Sequence, residues 1–201
     1  MQVLRTESPV LEVSELAYAT QEGKLLAKGI SFQLHLGETL LVGGANGAGK
    51  STLLRVLVGQ HRPLKGTLTH RLPASSIAYI PQLQNTEFHL PLCLGDLLPT
   101  TDISAISEWG LLEPSQLALA WNTASGGERK RALLTRALLQ HCSVLILDEP
   151  FNHLDRESKI QIQKALSRFI AAGDKSLIVV SHDVPPDWQR LKSIRLGDDE
   201  C

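Results

Sequence analysis

The sequence predicts an α/β fold, an apolar sheet covered by helices, and three observations carry that prediction. The runs VLILD from residue 144 and SLIVV from 176 are continuously apolar over a strand's length, the pattern of strands buried on both faces. Amphipathic helical patterns lie between and beside such runs. The stretch GGANGAGKST, residues 43–52, joins the apolar run TLLVG to the helical pattern KSTLLRVLVG through four glycines, a strand-to-helix turn built to keep side chains out of the way. With 201 residues, 43% of them hydrophobic and 20% charged, the chain can bury a substantial core and matches one large domain.

In chain order, the strand candidates are VLEV at 10, ISFQL at 30, TLLVG at 39, SIAYI at 76, VLILD at 144 and SLIVV at 176. ISFQL alternates and suits a half-exposed antiparallel face, so the expected core is a covered mixed sheet. The helix KIQIQKALSRFIAAG sets Ile162, Leu166, Phe169 and Ile170 on one face, with Gly173 placed to close it. In GGERKRALLTRALLQ the inward residues are Leu133, Leu134, Ala137 and Leu138. From about 83 to 124 strand signals are few. Prolines stand at 91, 99 and 114, and short pieces such as LGDLL and DISAISEWG read as helices, which predicts a small helical insertion. The core is then expected over about 1–82 and 143–201, with a helical subdomain over about 83–142.

Charge and cysteines narrow the function classes. A formal net charge of −1 lacks the basic footprint of a general nucleic-acid binder. The three cysteines, Cys93, Cys142 and Cys201, have no metal-ligand spacing and suit ordinary thiols in a reducing compartment. The N-terminus MQVLRTESPV lacks the basic start and apolar stretch of a secretory signal, and about 18 uncharged apolar residues never run together, so a soluble intracellular protein is expected.

The motifs then point to chemistry. The spacing of Gly44, Gly49, Lys50 and Ser51 is that of a phosphate-binding loop, in which Lys50 would reach the β and γ phosphates and Ser51 would ligate Mg²⁺. The loop would include Asn46, Gly47, Ala48 and Thr52. The run VLILDEP ends in two carboxylates, Asp148 and Glu149, at the sheet's carboxyl edge, where a Mg²⁺-nucleotide site needs one carboxylate near the metal and a base near the γ-phosphate to polarise water. In ASGGERKRALL, Ser125 with Glu128 forms a capping box, and the exposed serine with Gly126 and Gly127 at a helix start also makes an anion site.

That last motif resembles the signature of the ATP-binding cassette (ABC) ATPases, and the resemblance covers nearly the whole chain in the family's order. After the phosphate loop come YIPQ with Gln82, the signature, VLILDEP, FNHLD with Asp155 and VVSHD with His182, similar to the family's Q-loop, signature, Walker B, D-loop and H-loop. The signature departs in Ala124, where leucine is usual, and in Glu128, where glutamine is commoner. The residue that stacks on adenine is Tyr18 or Thr20, with core packing as the alternative for Tyr18.

The resemblance implies a P-loop NTPase of the ABC ATPase type, with a RecA-like core, an N-terminal antiparallel β region and a small helical subdomain. Its cofactors would be ATP and Mg²⁺, the metal held by Ser51, Asp148 and Gln82. Two copies would associate head to tail, each ATP lying between one copy's phosphate loop and the other's Ser125–Glu128, with Asp155 beside it. Glu149 would orient water, His182 would hold the γ-phosphate, and Gln82 would sense the metal.

The implied function is the ATPase subunit of an ABC transporter, peripheral on the inner face of the cell membrane, working through separate transmembrane permease subunits and without a sizeable C-terminal regulatory domain. IAYIPQLQNTEFHLPLCLGDLL resembles zinc and manganese importer ATPases, while LLAKGISFQL and ILDEPF are similar to haem-exporter ATPases; the metal importer is the preferred reading. The alternatives are the haem-exporter type and a non-transport ABC ATPase acting on nucleic acid or ribosomes, against which the single cassette and the missing basic patch argue. A regulator without turnover is opposed by Glu149. The stretch Leu83–Leu98, in which Phe88, Leu90, Leu92 and Leu94 alternate, is the expected docking surface for the transmembrane partner, with packing of the helical insertion as the alternative.

Overall fold

A computed structural model describes residues 8–82, 91–181, 184–186, 188 and 190–197. The strands fall into two sheets, the N-terminal antiparallel region and the core sheet that the resemblance implies, where the apolar runs alone pointed to a covered mixed sheet. The N-terminal sheet is antiparallel, with β1 (Leu11–Ala19) between β2 (Leu25–Leu34) and β4 (Lys65–His70). The second is wholly parallel, in the order β5 (Ile77–Ile80), β6 (Val144–Asp148), β7 (Ser176–Val180), β3 (Thr39–Gly44), β8 (Leu191–Leu196).

Both runs that read as doubly covered strands are central in this sheet, and their side chains divide between two cores. Val144 and Ile146 of β6, with Ile178 and Val180 of β7, face β1, β2 and the helix α1 (Lys50–Leu57). Leu145 and Leu147, with Leu177 and Val179, face α3 (Gly126–Leu139) and α4 (Arg156–Ala171). Period-two alternation with apolar residues at every position is the requirement of a strand sandwiched between layers. In α4, Ile162, Leu166 and Phe169 are buried and Ile170 half-buried, and Gly173 closes the end at φ 79°. Leu134, Ala137 and Leu138 of α3 point inward, whereas Leu133 is half-buried.

Between β5 and β6 the chain forms two short 3₁₀ turns and the five-residue helix α2 (Ile103–Ser107) ahead of α3. A separate apolar cluster holds this region, built from Leu94, Ile106, Leu112, Trp121, Ala124 and Ala132. Leu94 is fully buried there, so it packs the cluster instead of offering a docking surface. Phe88 and Leu90 lie outside the described residues. Cys142 is buried and its thiol is pushed up to about 11, as expected of an inert core cysteine. Among the described residues no helix is long and apolar enough to cross a membrane.

Candidate nucleotide site

All five strands of the second sheet run the same way, so the ends of β3, β5 and β6 deliver their loops to one edge. From β3 the chain turns through Gly44 to Gly49 into α1. The turn demands glycine at both ends. At Gly44, φ is 133° and a Cβ would stand 2.5 Å from the carbonyl oxygen of Leu196; at Gly49, φ is 87° and a Cβ would meet Leu26 at 3.0 Å and Tyr18 at 3.1 Å. Gly49 is the N-cap of α1 and offers no side chain, which leaves the helix's first N–H groups to an external anion. Ala45, Asn46 and Gly47 form the exposed rim of the loop, with Gly43, Gly44, Ala48, Ser51 and Thr52 partly covered.

Lys50 is only 6% exposed, and its Nζ donates to the carbonyls of Gly44 (2.8 Å) and Ala45 (2.9 Å). An ammonium has three donors, so one N–H remains beyond these two bonds while the lysine braces the loop around itself. Ser51, one residue on, hydrogen-bonds Asp148 at the end of β6.

Asp148 is 4% exposed, and burial pushes its carboxyl above the usual range against the opposing pull of Ser51. Its Oδ1 is buried without a hydrogen-bond partner among the described residues. A buried, unpaired carboxylate oxygen beside a hydroxyl is a hard-oxygen donor set that fits Mg²⁺.

Glu149 follows at φ 50°, a left-handed backbone conformation that turns its side chain away from the strand direction. Its Oε2 accepts two amide N–H bonds, from Gln82 Nε2 (2.8 Å) and Asn152 Nδ2 (2.7 Å). Among the described residues no such bond falls on Oε1. Gln82, just beyond the end of β5, thus touches the Glu149 carboxylate directly. Asn152 lies within FNHLD and Lys130 of α3 within ASGGERKRALL, but neither was singled out in the sequence; Lys130 Nζ donates to the carbonyls of Asn152 (2.6 Å) and Glu149 (3.3 Å). Burial lowers the Lys130 pKa while the Glu149 charge holds it up.

The signature turn stands apart from this group. Ser125 caps α3 in a complete capping box: its hydroxyl accepts from Glu128 N (3.2 Å), and Glu128 Oε2 accepts from Ser125 N (2.8 Å). The bonds from Ser125 hold the Glu128 carboxyl below the usual range. Ser125 and Gly126 are exposed, and among the described residues no hydrogen bond joins Ser125–Glu128 to the β3–α1 loop. Ser125 and Glu128 border a polar cleft of about 410 Å³ shared with Arg131, Asp155 and Ser158.

Three expected contacts read differently in the structure. Gly127 is buried, and a Cβ there would stand 2.8 Å from Ser158 Oγ, so it serves the packing of α3 on α4. Asp155 caps α4, with Oδ1 accepting from Ser158 N (2.8 Å) and Oδ2 from Ser158 Oγ (2.7 Å); both oxygens are engaged within the chain rather than offered to a nucleotide. Arg131 reaches the same Ser158 hydroxyl and the carbonyl of Leu111, another link that sequence spacing did not reveal. Tyr18 is 0% exposed, and burial raises its hydroxyl pKa; a ring with no exposed face cannot stack on a base, and its place is beneath Gly49. Thr20 is partly exposed, its hydroxyl accepting from Lys24 N at 3.3 Å. His182 lies outside the described residues.

Known proteins share both the pattern and the architecture. The family described as "ABC transporter" matches residues 27–152. A zinc import ATP-binding protein, ZnuC, from Acinetobacter baylyi is 34% identical over 181 residues, 88% of this chain and 70% of that protein. A metal-transport-system ATP-binding protein from Thermotoga maritima is 30% identical over 197 residues, 92% of this chain and 80% of its own. An inward-facing ABC transporter structure, described as of a metal-chelate type, aligns with TM-score 0.75 and 25% identity over 94% of this chain and 80% of its own. The family match takes in the loop that Lys50 braces and the Asp148–Glu149 pair; this chain belongs to the ABC transporter family and is one of its ATP-binding, ATP-hydrolysing subunits.

Proposed function

We propose that this subunit powers a metal-ion importer from the inner face of the membrane, through separate permease subunits and as a head-to-tail pair of identical copies closed by ATP. The metal cargo is supported by the ZnuC and metal-transport relatives. The paired arrangement is supported by Ser125 and Gly126, an exposed helix N-terminus that no hydrogen bond joins to the chain's own phosphate loop among the described residues.

Within one copy, the β3–α1 loop and the start of α1 cradle the phosphates while Lys50 offers its remaining N–H to them. Ser51 and Asp148 hold Mg²⁺, which when bound supplies charge neutralisation to the phosphate oxygens. Glu149 accepts the proton of the attacking water on its free oxygen, and Gln82 keeps the other oxygen in place. Ser125 and Gly126 bind the γ-phosphate from the second copy, so hydrolysis removes the group that holds the copies together.

The observation that carries the catalytic part is the Glu149 carboxylate, fixed by two amides beside the Ser51–Asp148 pair. Glu149→Gln is expected to keep ATP binding while phosphate release falls by roughly 10² or more. Nucleotide retention and phosphate release, measured on one preparation, check it; near-normal release would remove Glu149 from the role. Cargo is tested separately, by Zn²⁺ or Mn²⁺ uptake into vesicles containing the permease and this subunit. ATP-dependent uptake of neither ion would exclude both proposed cargoes.

A further inference from the structure

We propose that Asn152, held at its backbone by Lys130, is a positioning residue that sets the Glu149 carboxylate for catalysis; this rests on the reading of Glu149 as the base. The geometry assigns the donor. An amide oxygen facing a carboxylate at 2.7 Å would be repulsive, so the Asn152 NH₂ group faces Glu149 Oε2. With Gln82 on the same oxygen, two donors arriving from different segments fix the side chain in direction as well as place, and leave Oε1 toward water.

Asn152 is in turn not free to wander. The chain between β6 and α4 turns with Glu149 at φ 50° and His153 at φ 59°, neither a glycine, a backbone that needs outside support. Lys130 gives that support by bonding the carbonyls of Asn152 and Glu149 from the second turn of α3, its charge half-buried in the turn. α3 begins at the signature serine, so the position of the carboxylate follows the position of the signature turn. Neither residue contacts the phosphate loop among the described hydrogen bonds, which predicts an effect on turnover with nucleotide affinity preserved.

Single-turnover hydrolysis of MgATP with enzyme in excess, steady-state kcat and KM, nucleotide affinity and melting temperature together test this. Asn152→Ala is expected to lower kcat about tenfold or more with KM within about twofold of the original, the signature of a displaced catalytic group. Asn152→Asp, equal in shape but lacking the donor, should fall at least as far. Lys130→Met should lose turnover in the same way, and Lys130→Arg should regain most of it, because a guanidinium can still donate to both carbonyls.

The decisive measurement repeats Asn152→Ala in a Glu149→Gln background, where no further loss in the single-turnover rate is expected. The same fold loss there would mean that Asn152 acts independently of Glu149, and would overturn the proposal. So would an unchanged kcat with Glu149 intact, or a loss confined to KM. Full turnover by Glu149→Gln alone registers separately: it would remove the base assignment, and this inference with it.

Discussion

Two glycine-rich helix starts in this chain, the β3–α1 loop and the signature turn before α3, look alike in sequence and differ in what they ask of their own fold. The first is shaped from inside: Gly44 and Gly49 have positive φ and backbone or side chains at van der Waals limits, and Lys50 is folded back to brace the carbonyls. The second has its own serine cap, yet Gly126 has ordinary φ and nothing within 4 Å of where a Cβ would lie. Among the described residues nothing requires Gly126 to lack a side chain. Under the proposed pairing, glycine there would leave room for the anion held by a second copy.

Gly44→Ala breaks the comparison on the first side and carries the largest expected effect. The added methyl meets the Leu196 carbonyl at 2.5 Å in a backbone conformation hostile to alanine. Strain and overlap together should cost about 3 kcal/mol or more, or roughly 6–12 °C in melting temperature for a domain of this size. Thermal unfolding and nucleotide binding should both suffer. Stability equal to the parent would mean that the loop is not shaped from within.

Gly126 sharpens the other side. Gly126→Ala is expected to leave stability unchanged or raise it by up to about 1 kcal/mol, since alanine suits a helix start with room around it. Gly126→Asp should leave each copy folded and able to bind ATP, yet place a carboxylate against the second copy's phosphate. Light scattering in a Glu149→Gln background then reports association. ATP-driven dimers persisting in the double variant would refute the proposed trans contact.

The same contrast explains what was legible in the sequence. Continuous apolar runs announce β6 and β7, because strands covered on both faces have no polar positions to confuse the pattern. β4, KGTLTH, and β8, LKSIRL, lie at sheet edges with mostly exposed side chains, so polar residues occupy positions where periodicity was sought. At the site, Lys50, Ser51, Asp148 and Glu149 were marked by fixed local spacings. Lys130 and Arg131, inside ASGGERKRALL, and Asn152, inside FNHLD, were not singled out, since their bonds join side chains to atoms on other elements and leave no local period of their own. Asp155 shows the reverse: its motif was recognisable, but the recurring spacing is here also that of a helix cap.

Tyr18→Phe supplies the smallest expected effect and tests the inner side of the phosphate loop. The ring is fully buried against the position that a Gly49 side chain would take, and its hydroxyl has no hydrogen-bond partner among the described residues. A buried, unpaired hydroxyl costs stability for as long as it stays unpaired. Tyr18→Phe removes it while keeping the ring that fills the space under the loop. Stability should therefore stay level or rise by up to about 1 kcal/mol, with affinity for ATP unchanged. Denaturant unfolding and nucleotide titration read the two quantities independently. A tyrosine stacked on the base would also survive loss of its hydroxyl, so Tyr18→Ala completes the test. Emptying a core site should cost about 3–5 kcal/mol and lower the unfolding midpoint sharply, whereas removal of a surface stacking ring would weaken ATP binding and leave that midpoint in place.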